Sequence, residues 1–176
     1  KAHGAEVPFR RPKELSDDFT TTIAVVNHAI KWFEDHQSKP EYVCCLYATA
    51  PFVNSNALQS SLKHLKKENA EYCFTVTSFP FPIQRAIQIT KEQRVEMFFP
   101  EYLNTRSQDL TQAYHDAGQF YWGKADALLD GKPLFSNFAV PYILPSYLVQ
   151  DIDTPEDWVR AELMFRLIKE TPSYDI

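Results

Sequence analysis

Glycine is scarce in this chain of 176 residues: four in all, at positions 4, 118, 123 and 131, and none forms a Gly-rich loop that could cradle phosphates. Any phosphate contact within the sequence therefore needs other donors. Cysteine is equally sparse. The three thiols are odd in number, and Cys44 and Cys45 are adjacent in a strand-like run whose side chains alternate between faces, which argues against a disulfide framework. No Cys-x-x-Cys or suitably spaced His accompanies them, which argues against a redox or metal role, and buried reduced thiols in a cytoplasmic protein are expected. There is no excess of positive charge either. Eighteen Lys and Arg against 23 Asp and Glu leave a net charge of −5, which excludes wrapping of a nucleic-acid backbone. No apolar run approaches the ~20 residues that span a bilayer, and the polar start at Lys1 to Glu6 does not read as a secretory signal. Neither nucleic acid nor membrane is an expected partner.

What is abundant is apolar and aromatic: 44% hydrophobic residues, with three Trp, nine Tyr and thirteen Phe, enough to build one core in one domain. Over residues 20–34, Ile23, Val26, Ala29, Ile30 and Phe33 recur at three- and four-residue steps, the stripe of an amphipathic helix. Residues 42–47 form a short apolar run read as a strand buried on both faces. Asn54 or Ser55 caps a helix that carries Ala57, Leu58, Leu62 and Leu65 on one face, and residues 72–77 read as a second buried strand. Shorter strands are expected at 85–90, 94–98, 119–122 and 139–144, the last containing Pro141, with a short helix at 125–129. Helices alternating with apolar strands predict an α/β fold with a mostly parallel sheet, whose crevice lies beyond the carboxyl ends of the strands.

The final helix has the plainest start signal: Thr154 as N-cap, Pro155 as first helical residue, then Glu156 and Asp157. Asp151 and Asp153 precede it, two residues apart, so an extended backbone aims both carboxylates the same way. Such a pair can share Mg²⁺ with substrate phosphates. It can equally do no more than cap the helix and compensate its dipole. His28, His36 and His64 fall in helices without complementary ligands and read as solvated or core residues, while His3 and His115 are undecided.

The words around these positions add a resemblance. Asp151-Ile-Asp-Thr-Pro-Glu-Asp-Trp158, Val7-Pro-Phe-Arg-Arg-Pro-Lys-Glu-Leu15 and Leu46-Tyr-Ala-Thr-Ala-Pro51 follow in the order of three landmarks of the acylneuraminate cytidylyltransferases and related nucleotidyltransferases. Phe79-Pro-Phe-Pro-Ile-Gln-Arg-Ala86 and Asp116-Ala-Gly-Gln-Phe-Tyr-Trp122 resemble the pseudaminic acid branch. The likeness covers nearly the whole chain. It departs from the common pattern at Tyr47, where many relatives have Gln, and at Ala48, where they have Pro. It departs also at the start, because the family opens with a strand and a Gly-rich basic loop, and the chain is expected to be N-terminally truncated, with little activity alone.

The resemblance implies a Rossmann-like three-layer αβα nucleotidyltransferase fold and transfer of CMP from CTP to a nonulosonic acid, releasing pyrophosphate. It places Arg11, Thr22, Tyr47 and Ala48 on the nucleotide, with a solvated charge and a helix-start residue as the plain alternatives for Arg11 and Thr22. It places Arg85, Arg106, Gln108, Gln119, Phe120 and Tyr121 on the sugar, where guanidinium groups suit a carboxylate and aromatic rings suit apolar substituents. Asp151 and Asp153 would hold Mg²⁺, and a homodimer is implied. Two rivals stand beside this reading: a nucleotidyltransferase for a different sugar acid, and a non-catalytic interaction or dimerisation module. The expected geometry puts the two aspartates beside Arg11 and Tyr47, and Arg85, Gln119 and Tyr121 in one adjoining pocket.

Overall fold

The computed structural model describes residues 2–170. Helix α1 (Thr22–His36) starts where Thr21 accepts the Ala24 N–H, and α2 (Ser55–Lys67) starts where Asn54 accepts the Ala57 N–H at 2.8 Å. Each cap satisfies one amide that the first helical turn leaves without an intrahelical partner. Strands β1 (Tyr42–Leu46), β2 (Tyr72–Ser78), β5 (Tyr114–Lys124) and β6 (Ala139–Ile143) form one sheet in the order β1-β5-β2-β6. A separate antiparallel pair, β3 (Ile87–Ile89) and β4 (Val95–Met97), joins no other strand. Helices α3 (Ala125–Leu129) and α4 (Pro155–Glu170) complete the order.

Strands β1, β2 and β6 point the same way, as an α/β sheet requires, but β5 runs against both neighbours and separates β1 from β2. This insertion puts β1 at an edge. Where two-faced burial is expected, β1 is only half-buried, while central β2 is buried along almost its whole length. Pro141 sits in β6, at the opposite edge, where a missing N–H breaks no ladder on the open side.

The sheet lies between helices. On one face Ile30 of α1, Tyr72 of β2 and Ala125, Ala127 and Leu128 of α3 pack together, with Val26 and Val43 against them. On the other, Ala57 of α2 meets Ala117, Phe120 and Leu144, and α4 packs Ala161 and Ile168 on Phe52 and Leu148. Full burial of side chains such as Ile30, Leu65 and Phe120 stabilises by ~1.5–3 kcal/mol each. Gly123 of β5 pairs with Tyr72 of β2, and an added Cβ there would lie 2.9 Å from the Tyr72 ring. That ring is fully buried and its hydroxyl donates to the Lys132 carbonyl at 2.8 Å.

Candidate functional site

The carboxyl ends of β1, β2 and β6 and the first residues of β5 share one end of the sheet, because β5 is reversed. At this end a cleft of about 300 Å³ opens between the start of α1 and the residues after β1. Arg11, Thr22, Tyr47 and Ala48 all line it, together with Thr20 and Thr49. Thr22 is the first residue of α1, and its hydroxyl lies 3.4 Å from that of Tyr47. Arg11 is exposed and has no ion-pair partner among the described residues. A free guanidinium beside a helix N-terminus suits an anion, since the first-turn amides and the dipole carry positive potential.

Behind the cleft lies a second hollow of about 150 Å³, floored by Val26, Val43 and Leu128 and edged by Tyr47, Tyr121 and Asp116. The Tyr47 and Tyr121 rings are 5.2 Å apart, and the Tyr121 hydroxyl donates to Asp116 Oδ2 at 2.6 Å. Burial first, and then the bond to Asp116, push the Tyr121 phenol well above its ordinary range. It therefore acts as a neutral donor at physiological pH.

Asp151 and Asp153 follow the turn that leaves β6. The capping role open to them is taken by others: Thr154 accepts the Asp157 N–H at 3.2 Å, and Asp157 accepts the Thr154 N–H at 3.0 Å. This reciprocal box satisfies the helix start without either earlier carboxylate. It also holds the Asp157 carboxyl below its usual range, the Thr154 hydroxyl bond being the largest cause. Asp151 accepts the Ile152 N–H through Oδ1 and turns Oδ2 toward Gly118 of β5. Both aspartates are exposed and unpaired by any cation among the described residues. Two such oxygen donors are of the type that Mg²⁺ takes, although neither lines the cleft at Arg11 and Tyr47. No group of three or more metal-ligating side chains occurs among the described residues, so most coordination positions would fall to water and phosphate oxygens, as Mg²⁺ commonly accepts.

The sugar-side candidates separate into three places. Arg85 donates to the carbonyls of Leu103 and Thr105, fixing the loop that carries exposed Arg106 and Gln108, and Arg106 pairs with Asp109 at 2.7 Å. Tyr121 lies in the apolar hollow. Gln119 and Phe120 face inward: Gln119 is 1% exposed and donates to the Leu148 carbonyl, and Phe120 is in the core beneath α2. Arg85, Gln119 and Tyr121 thus do not line one pocket. A residue without an assigned role, Asp116, does edge the hollow, and its sequence signal is the Asp-x-Gly spelling of a side-chain-capped turn.

The sequence matches the family described as Cytidylyltransferase over residues 1–150. The chain belongs to the cytidylyltransferase family. It is 39% identical over 169 residues to pseudaminic acid cytidylyltransferase of Campylobacter jejuni, covering 96% of this chain and 73% of that protein. It is 37% identical over 154 residues to a Helicobacter pylori protein named pseudaminic acid cytidylyltransferase and UDP-2,4-diacetamido-2,4,6-trideoxy-beta-L-altropyranose hydrolase, covering 86% of this chain and 29% of that protein. A solved structure of CMP:2-keto-3-deoxy-manno-octonic acid synthetase complexed with CTP gives a loose likeness, with TM-score 0.49, 10% identity and coverage of 88% of this chain and 70% of its own.

Proposed function

We infer that this cytidylyltransferase transfers CMP from CTP to a nonulosonic acid, with pseudaminic acid as the acceptor, and releases pyrophosphate. The observation that carries the reading is relatedness across nearly the whole chain to the pseudaminic acid cytidylyltransferase of Campylobacter jejuni. The cleft geometry supports it. Arg11 and the α1 amides offer positive potential for the triphosphate, and Thr22, Tyr47 and Ala48 border the nucleoside. Asp151 and Asp153 hold Mg²⁺, which when bound screens phosphate charge and stabilises negative charge on the reacting phosphoryl group. Arg106 and Gln108 approach the sugar acid from the loop that Arg85 fixes, Tyr121 contacts it with an undissociated phenol, and Gln119 and Phe120, within β5, anchor that strand to Leu148 and to the core. No basic side chain is assigned to deprotonate the acceptor hydroxyl.

Two coarser properties complete the reading. No described helix is long and apolar enough to cross a membrane, and three cysteines without a disulfide agree with a cytoplasmic enzyme. A homodimer is supported by the β3–β4 arm, where Ile89 and Val95 pair in register yet stand 69% and 70% exposed. An apolar cross-strand pair left in water is a surface that association would cover. The test of acceptor choice is pyrophosphate release by the complete gene product with CTP and a panel of nonulosonic acids at equal concentration. Pseudaminic acid should give at least a tenfold higher kcat/KM than its stereoisomers, and a flat panel or preference for another acid would refute the assignment.

A further inference from the structure

The register of β5 against β2 is broken in the middle: Phe74 pairs with Tyr121, and Val76 with Asp116, so β5 takes five residue steps where β2 takes two. The extra residues form a bulge, and the bulge is built by two side chains and one backbone conformation. Buried Thr75 stands opposite it and offers its hydroxyl to both the N–H and the carbonyl of Phe120, each at 3.4 Å. Gly118 adopts φ +62°, a left-handed conformation that a Cβ disfavours. Asp116 closes the turn by accepting the Gly118 N–H on Oδ1 at 2.9 Å. The same carboxylate accepts the Tyr121 hydroxyl on Oδ2.

The consequence reaches Asp151 and Tyr47, because Gly118 is the residue that faces the Asp151 carboxylate, and Tyr121 is the ring that meets Tyr47. One carboxylate thus fixes two parts of the site by its two oxygens. We propose that Asp116 is a positioning residue for the transfer reaction, locking the β5 bulge against Asp151 and holding the Tyr121 phenol at the edge of the hollow beside Tyr47. It acts through Gly118 and Tyr121. The proposal rests on the functional reading above for the identity of the reaction, but its geometry stands on the contacts of the β5 bulge whatever that reaction is.

One readout does not depend on turnover. Selective ¹⁵N-glycine labelling limits the spectrum to glycine amides, and the signal that disappears in the Gly118→Asn variant assigns Gly118. In the complete gene product this amide should exchange slowly with solvent and should broaden when Mn²⁺ is added. Asp116→Ala should raise its exchange rate at least tenfold and weaken the Mn²⁺ response at least threefold, whereas Tyr121→Phe should leave both unchanged. In kinetics, Asp116→Ala should lower kcat/KM for the sugar acid at least tenfold with the CTP KM within twofold. The double variant with Tyr121→Phe should lose less than the product of the two single fold-losses, because both changes remove the same Asp116–Tyr121 bond. Asp116→Asn keeps one oxygen acceptor and should fall between wild type and Asp116→Ala; it decides the matter if the alanine variant fails to fold by circular dichroism. Unchanged Gly118 exchange in a folded Asp116 variant, or full additivity with Tyr121→Phe, overturns the proposal. Absence of CMP transfer in the wild type with every nonulosonic acid overturns the functional reading instead, and leaves the amide measurements to judge Asp116.

Discussion

Replacing Gly118 by Ala separates the cost of a backbone conformation from the cost of crowding. The added Cβ would lie 3.7 Å from Asp151 Oδ2 and 3.9 Å from its Cγ, ordinary contact distances, so there is no clash to relieve. The cost comes from φ +62°, since an L-residue with a Cβ pays ~1–2 kcal/mol to sit in the left-handed region. Against this, Ala restricts the unfolded chain more than Gly does and so favours folding by ~0.4–1 kcal/mol. The net expectation is a loss of about 1 kcal/mol, which lowers the melting temperature by ~2–4 °C for a chain of this size. A domain stable by ~5–15 kcal/mol survives that loss. Asn tolerates the left-handed region, so Gly118→Asn should be close to neutral. The assay is paired thermal and urea denaturation of wild type, Gly118→Ala and Gly118→Asn. If Ala is as stable as Asn, or more stable than Gly, the bulge does not have the conformation on which the placement of Asp151 depends.

Gly123→Ala should behave differently, because its Cβ would press on a buried Tyr72 ring anchored through Lys132; a loss of ~1–3 kcal/mol is expected, read by urea denaturation, and Gly123→Ser should do no better. Burial pushes the Cys44 and Cys73 thiols up to about 12, so a thiol reagent at pH 8 should leave both unreacted in the native protein and label them in urea. Glu71 is held below its ordinary 4.5, first by its bond to Lys132 and also by Lys124, with burial opposing. A depressed folded-state value means that its stabilisation, ~1 kcal/mol, is fully present above pH ~4.5 and fades as pH falls through the lower folded value. Glu71→Gln should therefore be less stable than wild type at pH 7 and equal to it at pH 2.

The helices and the two buried-looking strands were legible because their signals are local. The stripe of Ile23, Val26, Ile30 and Phe33 marks α1 whatever it packs against, and Thr154, Pro155 and Asp157 spell the start of α4 within four residues. Strand direction is not local. Nothing in residues 114–124 distinguishes a parallel strand from the reversed one observed, and the reversal is what leaves β1 at an edge. The bulge at Gly118 also breaks the alternation by which a strand reveals its faces, so Gln119 and Phe120 are both buried although they are neighbours. A polar Gln aimed at a backbone carbonyl reads in sequence like one aimed at a ligand. Arg11, Thr22, Tyr47 and Ala48 line one cleft from three separate segments, a grouping that motif order suggests and local periodicity does not.

The most direct test of the account is formation of a CMP-linked sugar, followed by mass spectrometry, when the complete gene product is given CTP and pseudaminic acid. Mg²⁺-dependent product with stoichiometric pyrophosphate is expected, with no product in excess chelator and at least a hundredfold loss of turnover in Asp153→Ala at unchanged circular dichroism. That loss equals ~2.7 kcal/mol of transition-state stabilisation. No CMP-sugar from the folded wild-type protein, or wild-type turnover by Asp153→Ala, would contradict it.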